Sequence, residues 1–223
     1  IFCNEKGSKQ MDFFLDLIAE KVVLKEREGF MGGLRNCESI HSYATDLCLD
    51  IATGMLVDEE EEEENVKTTL RKKKAQATLK ISIMFHVATL LPFSSENEQQ
   101  LAKKRHIGND VVVVVFRDYN TKTEFVPEFR SQFNHVFIVV QPHKLGENEE
   151  PLEYKVQICA KTGVSPFGPL IPYYPFFKES MSKSQLRTFL LLKCINAEQV
   201  FIYLFIFFFH YYFFYFFFIF IFF

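Results

Sequence analysis

Apolar residues recur at helical spacing between Met11 and Leu24, where Phe14, Leu15, Leu17, Ile18 and Val22 fall on one face. Ser8 stands where an N-cap is needed, and the end of the stretch, Lys21 to Leu24, suits a strand equally well. Gly29-Phe-Met-Gly-Gly-Leu34 follows, three glycines that predict a tight backbone rather than an element. Ile81 to Leu91 is apolar and closes at Pro92, as a buried strand or a short helix does. Ser95-x-x-Glu98 has the form of a capping box and predicts a helix to about His106, with Gly108 as its stop. Val111 to Phe116 and Val136 to Val140 are continuous apolar runs of strand length, predicted to be buried on both faces. Pro142 is expected to end the second run, with a polar loop on to Pro151. Tyr154 to Cys159 alternates as a half-buried strand does. Pro166, Pro169, Pro172 and Pro175 exclude a helix over their span. Gln185 to Gln199 is helical again, with Leu186, Phe189, Leu190, Lys193 and Ala197 along it. Together these predict an α/β fold, one central mixed β-sheet flanked by helices.

Composition changes that picture in two places. From 47 to 80 the chain turns to like-charge blocks: Asp58 and Glu59 to Glu64, then Arg71 to Lys74. Such blocks are usually solvated, so 47–80 is expected to be a flexible insertion. Of the 28 phenylalanines, 13 lie between Phe201 and Phe223. This uncharged stretch is long enough to span a bilayer. Its Phe, Tyr and Ile are also what T- and A-rich non-coding DNA encodes, and a gene-model or readthrough product is the favoured reading. The chain opens without Met and reads as a fragment of a longer product. A length of 223 residues suits one domain, and the net charge of −3 gives no ground for a nucleic-acid partner. Five widely spaced cysteines without a C-x-x-C argue against a disulfide framework or a zinc site, and for a reducing, cytoplasmic setting.

Few chemical motifs are present. There is no P-loop, no G-x-S-x-G elbow and no H-E-x-x-H. His86 and His135 sit inside apolar runs and read as satisfied core histidines. What remains is Lys103-Lys-Arg-His-Ile-Gly-Asn-Asp110, three cations, an imidazole and a carboxamide before a buried strand. As structure alone, it is a solvated helix end whose cations meet the helix dipole. As a site, it offers Lys103, Lys104 and Arg105 to an acidic partner. His106 and Asn109 then share one side if the helix continues that far.

That stretch resembles the core motif of the Rap GTPase-activating-protein domain family, shared with tuberin and the Ral-activating proteins. Other blocks follow in the family's order. Gly29 to Leu34 is similar to its glycine turn, and Ile83-Met-Phe-His-Val-Ala-Thr-Leu-Leu-Pro92 to its I-M-F-H strand. Gln99-Gln100-Leu101, Phe125-Val-Pro127, Ser131, Phe133 and His135 to Val140 continue the match. Val164 to Pro169 and Phe189 to Glu198 complete it over about residues 7–198. The resemblance implies a single catalytic domain that stimulates GTP hydrolysis by a small GTPase. Rap is the favoured partner, with Rheb or Ral as others. It implies no cofactor of the chain's own and no metal, since GTP and Mg²⁺ belong to the GTPase. By motif position Asn109 is the "Asn thumb" that orients the hydrolytic water, carried on a helix. His106 supports it, and Lys104 and Arg105 contact the GTPase or shape the helix.

Three departures from the family stand out. Arg35 replaces an Asp that usually follows the glycine turn. A charged insertion replaces a short link. The phenylalanine-rich tail, 199–223, replaces a long closing helical segment, so the domain is expected to be incomplete at its C-terminus. The alternatives are a catalytically impaired GTPase-binding scaffold and a tail-anchored membrane protein that carries such a domain.

Overall fold

The computed structural model describes residues 4–50, 55–57, 78–96, 99–122, 131–170, 183 and 185–202. They fall into two compact units in chain order, Ile1–Ile107 and Gly108–Phe223. Helices and strands mix as expected for an α/β protein. Among the described residues the strands form two sheets, one in each unit, where a single central sheet was expected.

The first unit opens with helix α1 (Lys9–Ile18). The Ser8 hydroxyl accepts from the Met11 amide at 3.2 Å and so meets one of the orphan N–H groups of the first turn. Phe14, Leu15 and Ile18 are its buried face. Strand β1 (Glu20–Val23) follows at once, where the sequence suits a strand. Gly29, Gly32 and Gly33 all have positive φ, which glycine adopts without a Cβ clash. The hub of the sheet is β2 (His41–Asp50). It pairs antiparallel with β1, with the short β3 (Leu56–Val57) and with β4 (Thr78–Phe85). The β4 pairing overlaps both others, so β1 and β3 share one side of β2 and β4 takes the other.

This sheet corrects the boundaries expected for the charged insertion. Residues 47–50, 56–57 and 78–80 are strand. The register Asp50↔Thr78 brings both ends of the intervening segment together, so a long insertion adds little closure entropy. The charge blocks themselves, 58–64 and 71–74, lie outside the described residues.

Helix α2 (Leu101–Ile107) starts later than the capping box predicts. Gln100 explains the delay. Its φ is 46°, outside helical geometry. Its side-chain amide also pairs with Ser94, donating to the carbonyl at 2.6 Å and accepting from the amide at 3.3 Å.

The second unit holds β5 (Val112–Phe116), β6 (Val136–Leu145) and β7 (Pro151–Ala160). β6 is central, parallel to β5 and antiparallel to β7, which makes this sheet mixed. Val136 to Val140 are 0–3% exposed, as their apolar run predicts. β5 is less covered than expected, for only Val115 is buried. Pro142 does not end β6. Pairing with β5 stops at Val140, so one side of β6 is an edge from there on, and the register with β7 shifts just past the proline. A residue without an N–H is tolerated at such a place. Residues 185–202 form the last described helix, α3. Leu186, Phe189, Leu190, Lys193 and Ala197 are all buried on it. The phenylalanine-rich tail beyond 202 lies outside the described residues. Among the described residues no helix is long and apolar enough to cross a membrane.

Candidate functional site

The three cations of α2 do not share one environment. Lys104 and Arg105 are exposed. Lys103 is 0% exposed. Its Nζ donates to the Asn4 carbonyl at 2.8 Å and lies 5.0 Å from the centre of the Phe93 ring. This corrects the expectation that Lys103 contacts a partner, because its ammonium is spent on tying α2 to the start of the chain. A carbonyl oxygen and a ring face are both partners that a buried cation can use.

His106 is half-buried on the same helix, and its ring centre lies 5.1 Å from that of His86. His86 Nε2 donates to the Gly32 carbonyl at 2.7 Å. Three blocks that the sequence keeps far apart thus meet in the first unit: the glycine turn, the residue after β4, and α2. Gly32 is required on two counts. Its φ is +54°, and a Cβ there would come within 3.1 Å of the Met84 side chain. His86 is a bonded histidine as expected, and it also stacks against the candidate site residue.

Helix α2 ends at Ile107, and Gly108 and Asn109 form a turn. The helical face shared by His106 and Asn109 therefore stops short of Asn109, and the expected helical seat for Asn109 is a turn instead. Glycine after the last helical residue is the usual stop. Asn109 is exposed at the start of the second unit. The backbone around it is held by the segment before β6. The Ser131 hydroxyl donates to the Gly108 carbonyl, and Asn134 Nδ2 donates to the Asp110 carbonyl at 2.5 Å. Ser131 is itself located, since its Oγ accepts from the Phe133 amide at 3.0 Å and its carbonyl accepts from Lys161 Nζ. The family resemblance includes Ser131 but gives it no role, and Asn134 falls in none of the matched blocks. The one local signal is a hydroxyl two residues before the amide it bonds, a short turn that Ser forms readily.

On α3, burial holds the Glu198 carboxyl above the usual range, and the nearby Asp110 carboxylate adds to the shift. Lys193 is buried, and its Nζ donates to the carbonyls of Phe167 at 2.6 Å and Pro169 at 3.0 Å. Asn196, one turn on, donates to the Gly168 carbonyl at 3.0 Å. Phe167 to Pro169 are therefore tied to the last described helix, and Pro172 and Pro175 lie outside the described residues. Burial pushes the Cys194 thiol up to about 12, which makes it a poor nucleophile.

The sequence profile of the Rap/ran-GAP family matches residues 1–208. The chain belongs to the Rap/ran-GAP family. Among curated relatives of this family, the human GTPase-activating Rap/Ran-GAP domain-like protein 3 is 34% identical over 204 residues. That match covers 89% of this chain and 16% of the relative. Mouse signal-induced proliferation-associated 1-like protein 3 is 35% identical over 198 residues, covering 89% of this chain and 9% of the relative. The chain thus spans less than a fifth of the length of either. A solved structure of the TSC2 GAP domain is 26% identical with a TM-score of 0.57. It covers 90% of this chain and 86% of the TSC2 chain. The Rap/ran-GAP match runs through the end of α3 and ten residues past 198, where the resemblance was expected to stop.

Proposed function

We propose that this chain is a GTPase-activating domain for a small GTPase of the Rap class, and that Asn109 enters the partner's nucleotide site to orient the attacking water. The observation that carries the reading is Asn109 itself, an exposed carboxamide on a turn whose neighbouring carbonyls are held on both sides. A carboxamide offers donors and an acceptor together, enough to hold a water and bond a phosphate oxygen. Phosphoryl transfer to water needs positioning and charge stabilisation more than covalent chemistry. GTP and Mg²⁺ are the partner's, and this chain supplies neither. It is an activator of its partner's hydrolysis. Lys104 and Arg105 face an acidic partner surface, His106 supports the helix end, and Lys103 serves the fold.

Activation of this kind typically amounts to about 10³–10⁵-fold in rate, or roughly 4–7 kcal/mol of barrier. Single-turnover GTP hydrolysis by Rap, Ral and Rheb, with this chain added, tests the proposal. Rap is expected to respond most. Asn109→Ala is expected to remove nearly all stimulation while pull-down of GTP-loaded Rap persists. Stimulation retained by Asn109→Ala, or no response from any of the three GTPases, overturns it.

A further inference from the structure

We propose that Ser131 and Asn134 are positioning residues that hold the Asn109 turn in its working geometry; the inference rests on Asn109 being the residue that enters the partner. Gly108 precedes Asn109, and glycine leaves the backbone freest of all residues. An exposed side chain on such a turn gains no precision from burial. The backbone on either side supplies precision of its own. The Gly108 carbonyl belongs to the peptide plane that enters Asn109, and the Ser131 hydroxyl donates to it. The Asp110 carbonyl lies one residue beyond, and Asn134 donates to it. The next carbonyl, that of Val111, accepts from the amides of His135 at 2.8 Å and Val136 at 3.1 Å.

Three carbonyls around and after Asn109 are thus fixed by one segment, 131–136. That segment is rooted in the core. Asn134 is 0% exposed, and Val136 begins the fully buried part of β6. Lys161, just past β7, bonds Ser131 from the far side. The rigidity of the central strand is passed to a glycine turn through two short polar side chains. A misplacement of about 1 Å in a catalytic group can cost about 10²-fold in rate. Loss of either bond therefore lowers the rate at saturation, not the affinity.

The experiment pairs kinetics with dynamics in the whole chain. Ser131→Ala removes the hydroxyl, Ser131→Cys keeps the size with a much weaker donor, and Ser131→Thr restores the donor. Order parameters of the Asn109 backbone and side-chain amides, from ¹⁵N relaxation, are expected to fall in Ser131→Ala and Ser131→Cys and to recover in Ser131→Thr. With GTP-loaded Rap, the saturating single-turnover rate is expected to drop about 10- to 100-fold in the same two variants. The half-saturating concentration stays put, and Ser131→Ala adds nothing on top of Asn109→Ala. A purely structural role would instead lower the melting temperature and leave the saturating rate per folded molecule intact. Unchanged order parameters and saturating rate in both donor-poor variants overturn the inference. Full activity of Asn109→Ala overturns the functional reading instead, and the relaxation data still decide whether Ser131 holds the turn.

Discussion

β2 and β6 are both ten residues long, and each is the central strand of its sheet, yet they bury opposite chemistry. β6 buries Val136 to Val140, an unbroken apolar run that needs nothing from its neighbours but packing. β2 buries Ser42, Thr45 and Asp50 between Tyr43, Ala44, Leu47 and Cys48. A buried polar group costs free energy unless it is bonded. The Ser42 hydroxyl meets that demand by donating to the Phe85 carbonyl at 2.6 Å, across to β4. Gln100 and Lys103 in the first unit, like Asn134 and Lys193 in the second, are likewise buried and bonded to backbone. Of the two central strands, β6, the apolar half of the pair, is held mainly by transfer of hydrocarbon from water, and β2, the polar half, in good part by specific polar pairs.

The largest expected effect tests the apolar half. Ile138 is 0% exposed at the middle of β6. Ile138→Ala is expected to cost about 2–5 kcal/mol, from lost transfer energy and the cavity left behind. The shift of the urea midpoint at constant slope measures it. In the polar half, Ser42→Ala removes a donor but leaves little cavity. It is expected to cost about 1–3 kcal/mol from the lost hydrogen bond to Phe85. Equal losses from the two substitutions would erase the contrast between the sheets.

The same contrast decides what could be read from the sequence. The buried half of β6 (Val136 to Val140), the middle of β7, α1 with its Ser8 cap, and the buried stripe of α3 are legible because apolar periodicity reports burial directly. β2 is not. His41-Ser-Tyr-Ala-Thr-Asp-Leu-Cys-Leu-Asp50 has no clean alternation, since its polar members are buried against partners that only the fold supplies. Its end therefore reads as part of the flexible insertion, although it pairs with β4 as far as Asp50↔Thr78. Lys103 misleads for the same reason. A lysine among lysines reads as surface, and nothing local shows that Asn4 and Phe93 await it. At the candidate site the motif itself, from Lys103 to Asp110, is plain in the sequence. Its support is not, because Ser131 and Asn134 act across more than twenty residues through two hydrogen bonds. Gly32 falls between the two cases. Glycine content announces a turn, while its closeness to Met84 belongs to the fold.

The smallest expected effect sharpens the comparison at alkaline pH, where each sheet carries one tyrosine as a probe. Burial, reinforced by a hydrogen bond and the charge of Asp16, raises Tyr43 on β2 to about 12. Its hydroxyl donates to Asp16 Oδ1 at 3.1 Å. Burial, with the charge of Glu150, raises Tyr154 on β7 to about 12 as well. An unfolded tyrosine titrates near 10. Between these two values the unfolded chain has given up protons that the folded chain keeps. The stabilisation from each tyrosine is therefore complete below about 10 and is lost as pH rises through about 12. Tyr43→Phe and Tyr154→Phe should each make the alkaline fall in the urea midpoint shallower. At neutral pH Tyr43→Phe also forfeits the bond to Asp16, worth about 1 kcal/mol. An alkaline profile unchanged in Tyr43→Phe would mean that neither the burial of Tyr43 nor its Asp16 bond persists in solution. The polar half would then rest on fewer specific pairs than its geometry displays.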